Sequence, residues 1–141
     1  MTELEKNYNF TLDHTTTKCF LEQLHENMFF DPKLLNDLIK YIILLIEGYK
    51  REDRKENLQR DLSIQWQMHE VYTWTIEHLN WHYNPADGYK IKNNSKEKSC
   101  EYMIYVNRLR FVIKCFHFQD YQSILDYEDE LGKLVEDTET S

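Results

Sequence analysis

Glycine and proline are scarce in this sequence, with three and two among 141 residues. Strands joined by tight turns depend on these residues, so their scarcity disfavours an all-β fold. Apolar runs are also short: the central run, Tyr41 to Ile46, is far below the roughly 20 residues that span a membrane. A disordered chain is disfavoured because 41% of the residues are hydrophobic and 14% are aromatic. We therefore expect an all-α protein with no membrane partner.

Cysteine is also scarce, and the positions of the few cysteines are informative. The three cysteines, Cys19, Cys100 and Cys115, are an odd number and form no Cys-x-x-Cys motif. This pattern favours reduced thiols over a disulfide framework or a zinc site. The segment 1–10 has neither the basic nor the apolar region of a signal peptide. We expect a cytoplasmic protein.

The segment from Asp31 to Tyr49 predicts the central helix of the fold. Asp31 is a favourable N-cap, and Pro32 follows at the first helical position, where its missing N–H costs nothing. Apolar residues recur behind it at three- and four-residue steps over more than half of the circumference. They are Leu34, Leu35, Leu38, Ile39, Ile42, Ile43, Leu45, Ile46 and Tyr49.

The rest of the sequence predicts one domain, residues 1–141, of about five helices. Apolar periodicity predicts further helices over 16–29 and 61–83, from a capping box at Asn94 and Glu97 onward, and over 120–136. Between them we expect an extended arm at 1–14, an exposed loop at 84–98 and a tail at 138–141. In the last helix, the spacing turns Ile124, Tyr127, Leu131 and Leu134 inward and the carboxylates outward.

Charge is distributed unevenly around a net value of −8. From Asp120 to the C-terminus, eight acidic residues accompany a single base, Lys133. The segment 90–114 has seven bases against two acids, with Arg108, Arg110 and Lys114 placed on the outside of the predicted helix. Such asymmetry affects the choice of partner and the rate of encounter.

Histidines offer the strongest possibility of catalytic chemistry. His78 and His82 stand four residues apart on one predicted helix, a usable spacing for two metal ligands. A metal-dependent helical enzyme is therefore one hypothesis. Histidines at the edge of the core, hydrogen-bonded locally, are the structural alternative, and we favour it. No nucleophile motif and no phosphate-binding glycine loop is present in the sequence. We expect no catalytic residues, no metal and no cofactor.

A basic stretch offers a second hypothesis, a nucleic-acid-binding accessory subunit that uses the segment 90–114. Its lysines and arginines are interleaved with aromatic residues, as in many nucleic-acid-binding surfaces. The sequence pI of about 5.2 and the acidic segment that follows favour another interpretation. In that interpretation the bases and acids of neighbouring helices pair within the fold.

Protein binding is the hypothesis that the sequence favours. Trp66, Trp74 and Trp81 share one side of the predicted 61–83 helix with Glu70 and Glu77. Tryptophan is enriched at the energetic centres of protein interfaces. We predict a non-catalytic module, such as an inhibitor, immunity or anti-defence factor, that blocks a basic surface of a partner protein. The predicted contact residues are Trp74, Glu77, Trp81, Asp126, Asp129 and Glu130.

Overall fold

The computed structural model of the protein describes residues 16–49 and 58–135, so the arm predicted at 1–14 and the tail predicted at 138–141 lie outside the described residues. Five helices are present in the described part. They are α1 (Thr16–Glu26), α2 (Pro32–Tyr49), α3 (Leu58–Tyr83), α4 (Lys96–Phe118) and α5 (Tyr121–Asp126). Two short strands follow, β1 (Glu128–Asp129) and β2 (Gly132–Lys133). The predicted all-α class with about five helices is confirmed.

Helix α2 lies at the centre of the fold, as predicted. The Asp31 carboxylate accepts hydrogen bonds from the backbone amides of Lys33 and Leu34 at 3.0 and 3.2 Å, which is N-cap geometry. One hydrophobic cluster then joins α2 to residues from each of the other four helices, including Phe20, Met68, Phe116 and Ile124. The α2 residues in that cluster are Leu35, Leu38, Ile39, Ile42, Ile43, Leu45 and Ile46.

The turn between α1 and α2 begins earlier than the periodicity predicted. Helix α1 ends at Glu26 instead of residue 29, and Met28 adopts a left-handed φ of 54°. The chain then turns so that Phe30 enters the core, where its ring stacks on Tyr102 at a centroid distance of 4.4 Å. Burial of this ring fixes where α2 begins relative to α4.

The connection between α3 and α4 is largely exposed, as predicted for residues 84–98, but it is shorter and one of its residues is buried. It runs from residue 84 to 95, and Ile91 is buried within it. Asn93 both donates to and accepts from the Phe30 backbone, at 2.7 and 2.9 Å. The α4 N-cap is Ser95, whose hydroxyl accepts from the Lys98 amide, and not Asn94 as the capping-box pattern predicted. The Asn93 hydrogen bonds, together with one from the Lys92 amide to the Met28 carbonyl at 2.7 Å, hold the connection against the α1–α2 turn.

The C-terminal part contradicts the long helix predicted at 120–136. Helix α5 ends at Asp126, and β1 and β2 then form a small antiparallel hairpin with Asp129 opposite Gly132. Gly132 has a φ of +107°, a conformation that a residue with a side chain rarely adopts. The Asp129 carboxylate also accepts from the Leu131 amide at 2.9 Å, which closes the turn locally.

Within the described ranges, we find no helix that combines the length and the apolar character required to cross a bilayer.

Candidate functional site

The tryptophans of α3 form the most distinctive exposed feature of the described structure. Trp66, Trp74 and Trp81 are 67%, 41% and 37% exposed, and Glu70 and Glu77 beside them are also exposed. At 100° per residue these five positions fall within about 80° of the helix circumference. We call them the tryptophan face. The opposite side of α3 is buried through Met68, Val71, Thr75 and Leu79.

A buried histidine packs against the inner side of two of these tryptophans. The His78 ring is completely buried, and its centroid lies 5.1 Å from that of Trp74 and 4.5 Å from that of Trp81. His25 of α1 adds a second imidazole, 5.3 Å from Trp74 and 5.1 Å from His78. The Trp74 and Trp81 rings therefore rest on a packed aromatic base that limits their rotamers.

The protonation state of His78 follows from its two hydrogen bonds. Nδ1 lies 2.6 Å from the Trp74 carbonyl oxygen, so Nδ1 carries the proton and donates it. Nε2 lies 2.9 Å from Nδ1 of His25, and in a neutral ring it accepts from that group. Burial lowers the pKa of His78 below its ordinary value, which favours the neutral form, and the Trp74 carbonyl opposes this only in part. We assign His78 as a neutral bridge between α1 and α3.

Tyr89 closes the cluster from the α3–α4 connection. Its ring centroid lies 5.2 Å from that of His78 and 5.9 Å from that of Trp81. Its hydroxyl donates to the Leu24 carbonyl of α1, and burial raises the pKa of Tyr89 to about 12. The phenol therefore stays protonated and keeps the connection attached to α1 throughout the physiological pH range.

The metal-binding hypothesis placed His78 and His82 together as ligands, but the structure uses both in hydrogen bonds within the fold. Both ring nitrogens of His78 lie within hydrogen-bonding distance of protein atoms. Nδ1 of His82 accepts from the Ile91 amide at 2.8 Å, and burial followed by the nearby Lys90 charge lowers the pKa of His82. In the described residues, no group of three or more histidine, cysteine or acidic side chains is placed to hold a metal ion.

The acidic contact residues lie on other elements than the tryptophan face. Asp126 and Glu130 are exposed at the end of α5 and in the hairpin turn, and α5 packs against α4 and α2. The sequence predicted that Asp129 points outward from a helix, and this prediction is wrong. Its carboxylate accepts two hydrogen bonds from Arg108, at 2.7 and 2.6 Å, and both side chains are about nine-tenths buried.

Two of the bases in the segment 90–114 donate hydrogen bonds within the protein. The Lys90 ammonium donates to the carbonyl oxygens of His82, Asn84 and Asp87, at 2.9 to 3.0 Å. Arg108, predicted on the outside of α4, is only 6% exposed because it binds Asp129 and the Gly132 carbonyl. The segment therefore offers fewer free charges to a nucleic acid than its composition suggests.

His25, Tyr89 and the inward position of Arg108 were not found from the sequence. His25 and Tyr89 reach the cluster from different elements, so no spacing within α3 identifies them. Arg108 did leave a signal, because it precedes Val112, which is buried, by four positions and so lies on the same side of the helix.

Comparison of the chain with protein-family models, curated proteins and solved structures finds no match in any of the three.

Proposed function

We propose that this protein is a non-catalytic protein-binding module whose tryptophan face takes a basic segment of a partner protein. The observation that carries the proposal is the alignment of three exposed indoles with two exposed carboxylates on one side of α3. A module of this kind acts by covering the partner's basic surface, as an inhibitor, immunity or anti-defence factor would.

The cost of exposing these rings supports the proposal. Large apolar side chains gathered on one surface are typical of interaction sites, whereas isolated ones are ordinary. Trp74 and Trp81 are held by His25, His78 and Tyr89, so they lose little rotamer freedom when a partner binds. Preorganised aromatic rings of this type are common among the residues that dominate binding energy.

The charge around the rings indicates the chemistry of the partner. From residue 65 to residue 83, α3 contains no lysine or arginine, and Glu77 lies three residues after Trp74 and four before Trp81. A lysine or arginine of the partner stacked on either indole would therefore lie within reach of a carboxylate. Cation–π contacts of this kind contribute about 0.5–2 kcal/mol each, and arginine makes them most often.

A cytoplasmic location belongs to the same proposal. Cys100 is an exposed free thiol and Cys115 is a buried one. Burial raises the pKa of the Cys115 thiol to about 11, so it stays protonated and unreactive. An exposed thiol without a disulfide partner suits a reducing compartment.

The proposal is tested with an arginine-rich nonapeptide as the probe and a glutamine-for-arginine peptide as the matched control. We expect the arginine peptide to shift the indole N–H resonances of Trp74 and Trp81 in a titration followed by NMR. Glu77→Lys should weaken binding by about tenfold, which corresponds to 1.4 kcal/mol, because an exposed attraction becomes a repulsion. Trp74→Ala should weaken it to a similar extent through the lost ring.

Leu44→Ala is the matched control variant, since Leu44 is 47% exposed on α2 and lies outside the tryptophan face. It should bind the peptide as the wild type does. Equal affinity of the wild type, Glu77→Lys and Trp74→Ala for the arginine peptide would contradict the proposal. So would equal affinity of the wild type for the two peptides. Circular dichroism of each variant verifies that the helices remain folded.

A further inference from the structure

A second surface lies on a different side of α3 and remains unexplained by the proposed protein-binding function. It is a groove of about 600 Å³ between α3 and α4, and Tyr127 also lines it. This volume is within the range of small-molecule sites, about 300–1,000 Å³. The groove combines a positively charged wall with an aromatic one, and none of the described residues that line it is acidic.

The charged wall comes from one stripe of α4. Arg110 and Lys114 are one helical turn apart, His117 follows three residues later, and all three side chains are exposed. Lys90 and Arg108, by contrast, donate hydrogen bonds to other parts of the protein, and Arg108 is also buried. Two permanent cations at this spacing are suited to one or two anionic groups.

The carboxylate of Asp120 lies near Lys114 and offsets part of the positive charge of this wall. Hydrogen bonds from Ser123 are the main cause of the lowered pKa of Asp120, and the nearby charge of Lys114 lowers it further. Its carboxylate is already committed to the N-cap of α5, where it accepts from the amide and the hydroxyl of Ser123 at 3.0 and 2.6 Å. One carboxylate beside two permanent cations leaves the positive wall only partly compensated.

The aromatic wall offers flat surfaces to a planar group. Phe111 packs on Tyr127 with ring centroids 4.5 Å apart and an angle of 33° between the ring planes. Phe118, at the C-terminal end of α4, is 68% exposed and lies outside the hydrophobic core cluster. Tyr72 of α3 lines the opposite side. An aromatic ring of a ligand can stack on any of these without a sequence-specific contact.

We infer that this groove binds a small anion that carries a planar aromatic ring, with a nucleoside monophosphate as the chemical class. Its phosphate would contact Arg110 and Lys114, and its base would stack on the aromatic wall. A long nucleic acid fits less well, because the protein's net charge of −8 repels a polyanion and two cations neutralise few phosphates.

The test measures binding of AMP, adenosine and inorganic phosphate to the full chain by NMR and calorimetry. We expect AMP to bind at least tenfold more tightly than either adenosine or phosphate, because only AMP engages both walls. Phe118→Ala should reduce AMP affinity by about fivefold or more and leave phosphate affinity unchanged. Arg110→Gln and Lys114→Gln should each reduce the affinity for both anions.

Matched controls separate these effects from general loss of charge or of apolar surface. Lys40→Gln removes an exposed lysine on α2, and Phe29→Ala removes an aromatic ring that is 39% exposed before α2. Neither residue lines the groove, so AMP affinity should be unchanged in both.

Three outcomes would overturn the inference. The first is equal affinity for AMP and phosphate, which would show an anion site without an aromatic subsite. The second is an affinity for adenine oligonucleotides that rises with length and falls steeply with salt, which would show a polymer site. The third is wild-type AMP affinity in Arg110→Gln and Phe118→Ala, or no AMP binding at millimolar concentration.

Discussion

Replacing Asp129 with alanine should destabilise the protein by about 3–5 kcal/mol, the range for removing one partner of a buried ion pair. The structure places this pair in that class. The Arg108 and Asp129 side chains are 7% and 10% exposed, and their two hydrogen bonds measure 2.7 and 2.6 Å. Without Asp129, the guanidinium keeps its bond to the Gly132 carbonyl but loses its counter-charge.

The hairpin sets an upper limit to this cost. If β1 and β2 detach from α4, water can reach the guanidinium, so the penalty cannot exceed the free energy of local opening. Urea denaturation followed by circular dichroism measures the global change. At about 0.3 kcal/mol/K for a chain of this length, the melting temperature should fall by about 10–17 °C. Hydrogen exchange at the hairpin amides detects the local opening.

Two further variants make this prediction decisive. Arg108→Met/Asp129→Leu should be more stable than Asp129→Ala, because it removes both charges and leaves none buried alone. Glu128→Ala, an exposed neighbour on β1, should change stability by no more than about 0.5 kcal/mol. The reasoning is refuted if Asp129→Ala is as stable as Glu128→Ala and the hairpin amides keep their protection.

The pH dependence of stability gives an independent test of the Arg108–Asp129 pair. Burial alone would raise the pKa of Asp129, but the hydrogen bonds from Arg108 and from the Leu131 amide outweigh it and lower the pKa. The stabilisation is therefore complete above the unfolded value of about 4 and is lost as pH falls through the folded pKa. The difference in stability between wild type and Asp129→Ala should shrink below about pH 4.

Two more predictions concern the core and its histidine. Ile42→Ala should cost about 2–5 kcal/mol in a urea titration because Ile42 is 1% exposed, whereas Leu44→Ala on the outer side of α2 should cost far less. Equal costs would mean that the inward side of α2 is misassigned. Burial lowers the pKa of His78, so its neutral form stabilises the fold fully above about pH 6.5, and this stability declines as pH falls toward the folded pKa. His78→Asn, which keeps a donor for the Trp74 carbonyl, should flatten the loss of stability between about pH 7 and 5, and an unchanged slope would contradict the assignment.

The parts of the fold that the sequence predicted correctly are those determined locally. Asp31 caps α2 because its carboxylate reaches amides two and three residues ahead, and this geometry depends on nothing outside the segment. The apolar stripe behind it is wide enough that one side of α2 must be buried. Ile42 and Ile46 are accordingly 1% exposed.

The C-terminal part could not be predicted in the same way because a tertiary contact decides it. The spacing of Ile124, Tyr127, Leu131 and Leu134 fits a helix, yet a helix would leave Arg108 buried without its counter-charge. The pairing of Asp129 with Arg108 joins residues 21 positions apart, and no local pattern contains it. Gly132, a residue type that is unfavourable within a helix, supplies the positive φ of the turn.

The contact between Arg108 and Asp129 also changes which charges are available to the proposed basic partner. Asp129 forms a buried ion pair with Arg108 and is not available to a partner. Asp126 lies at the end of α5 and Glu130 in the hairpin turn, so neither shares an element with the indoles of α3. Exposed charges are screened over about 8 Å at physiological salt, so carboxylates on the same face as the indoles count most for a ligand stacked there. Those carboxylates are Glu70 and Glu77, in a stretch of α3 without a single lysine or arginine. The proposed attraction for a basic segment therefore depends on the tryptophan face itself more than on the acidic C-terminal part that dominates the net charge.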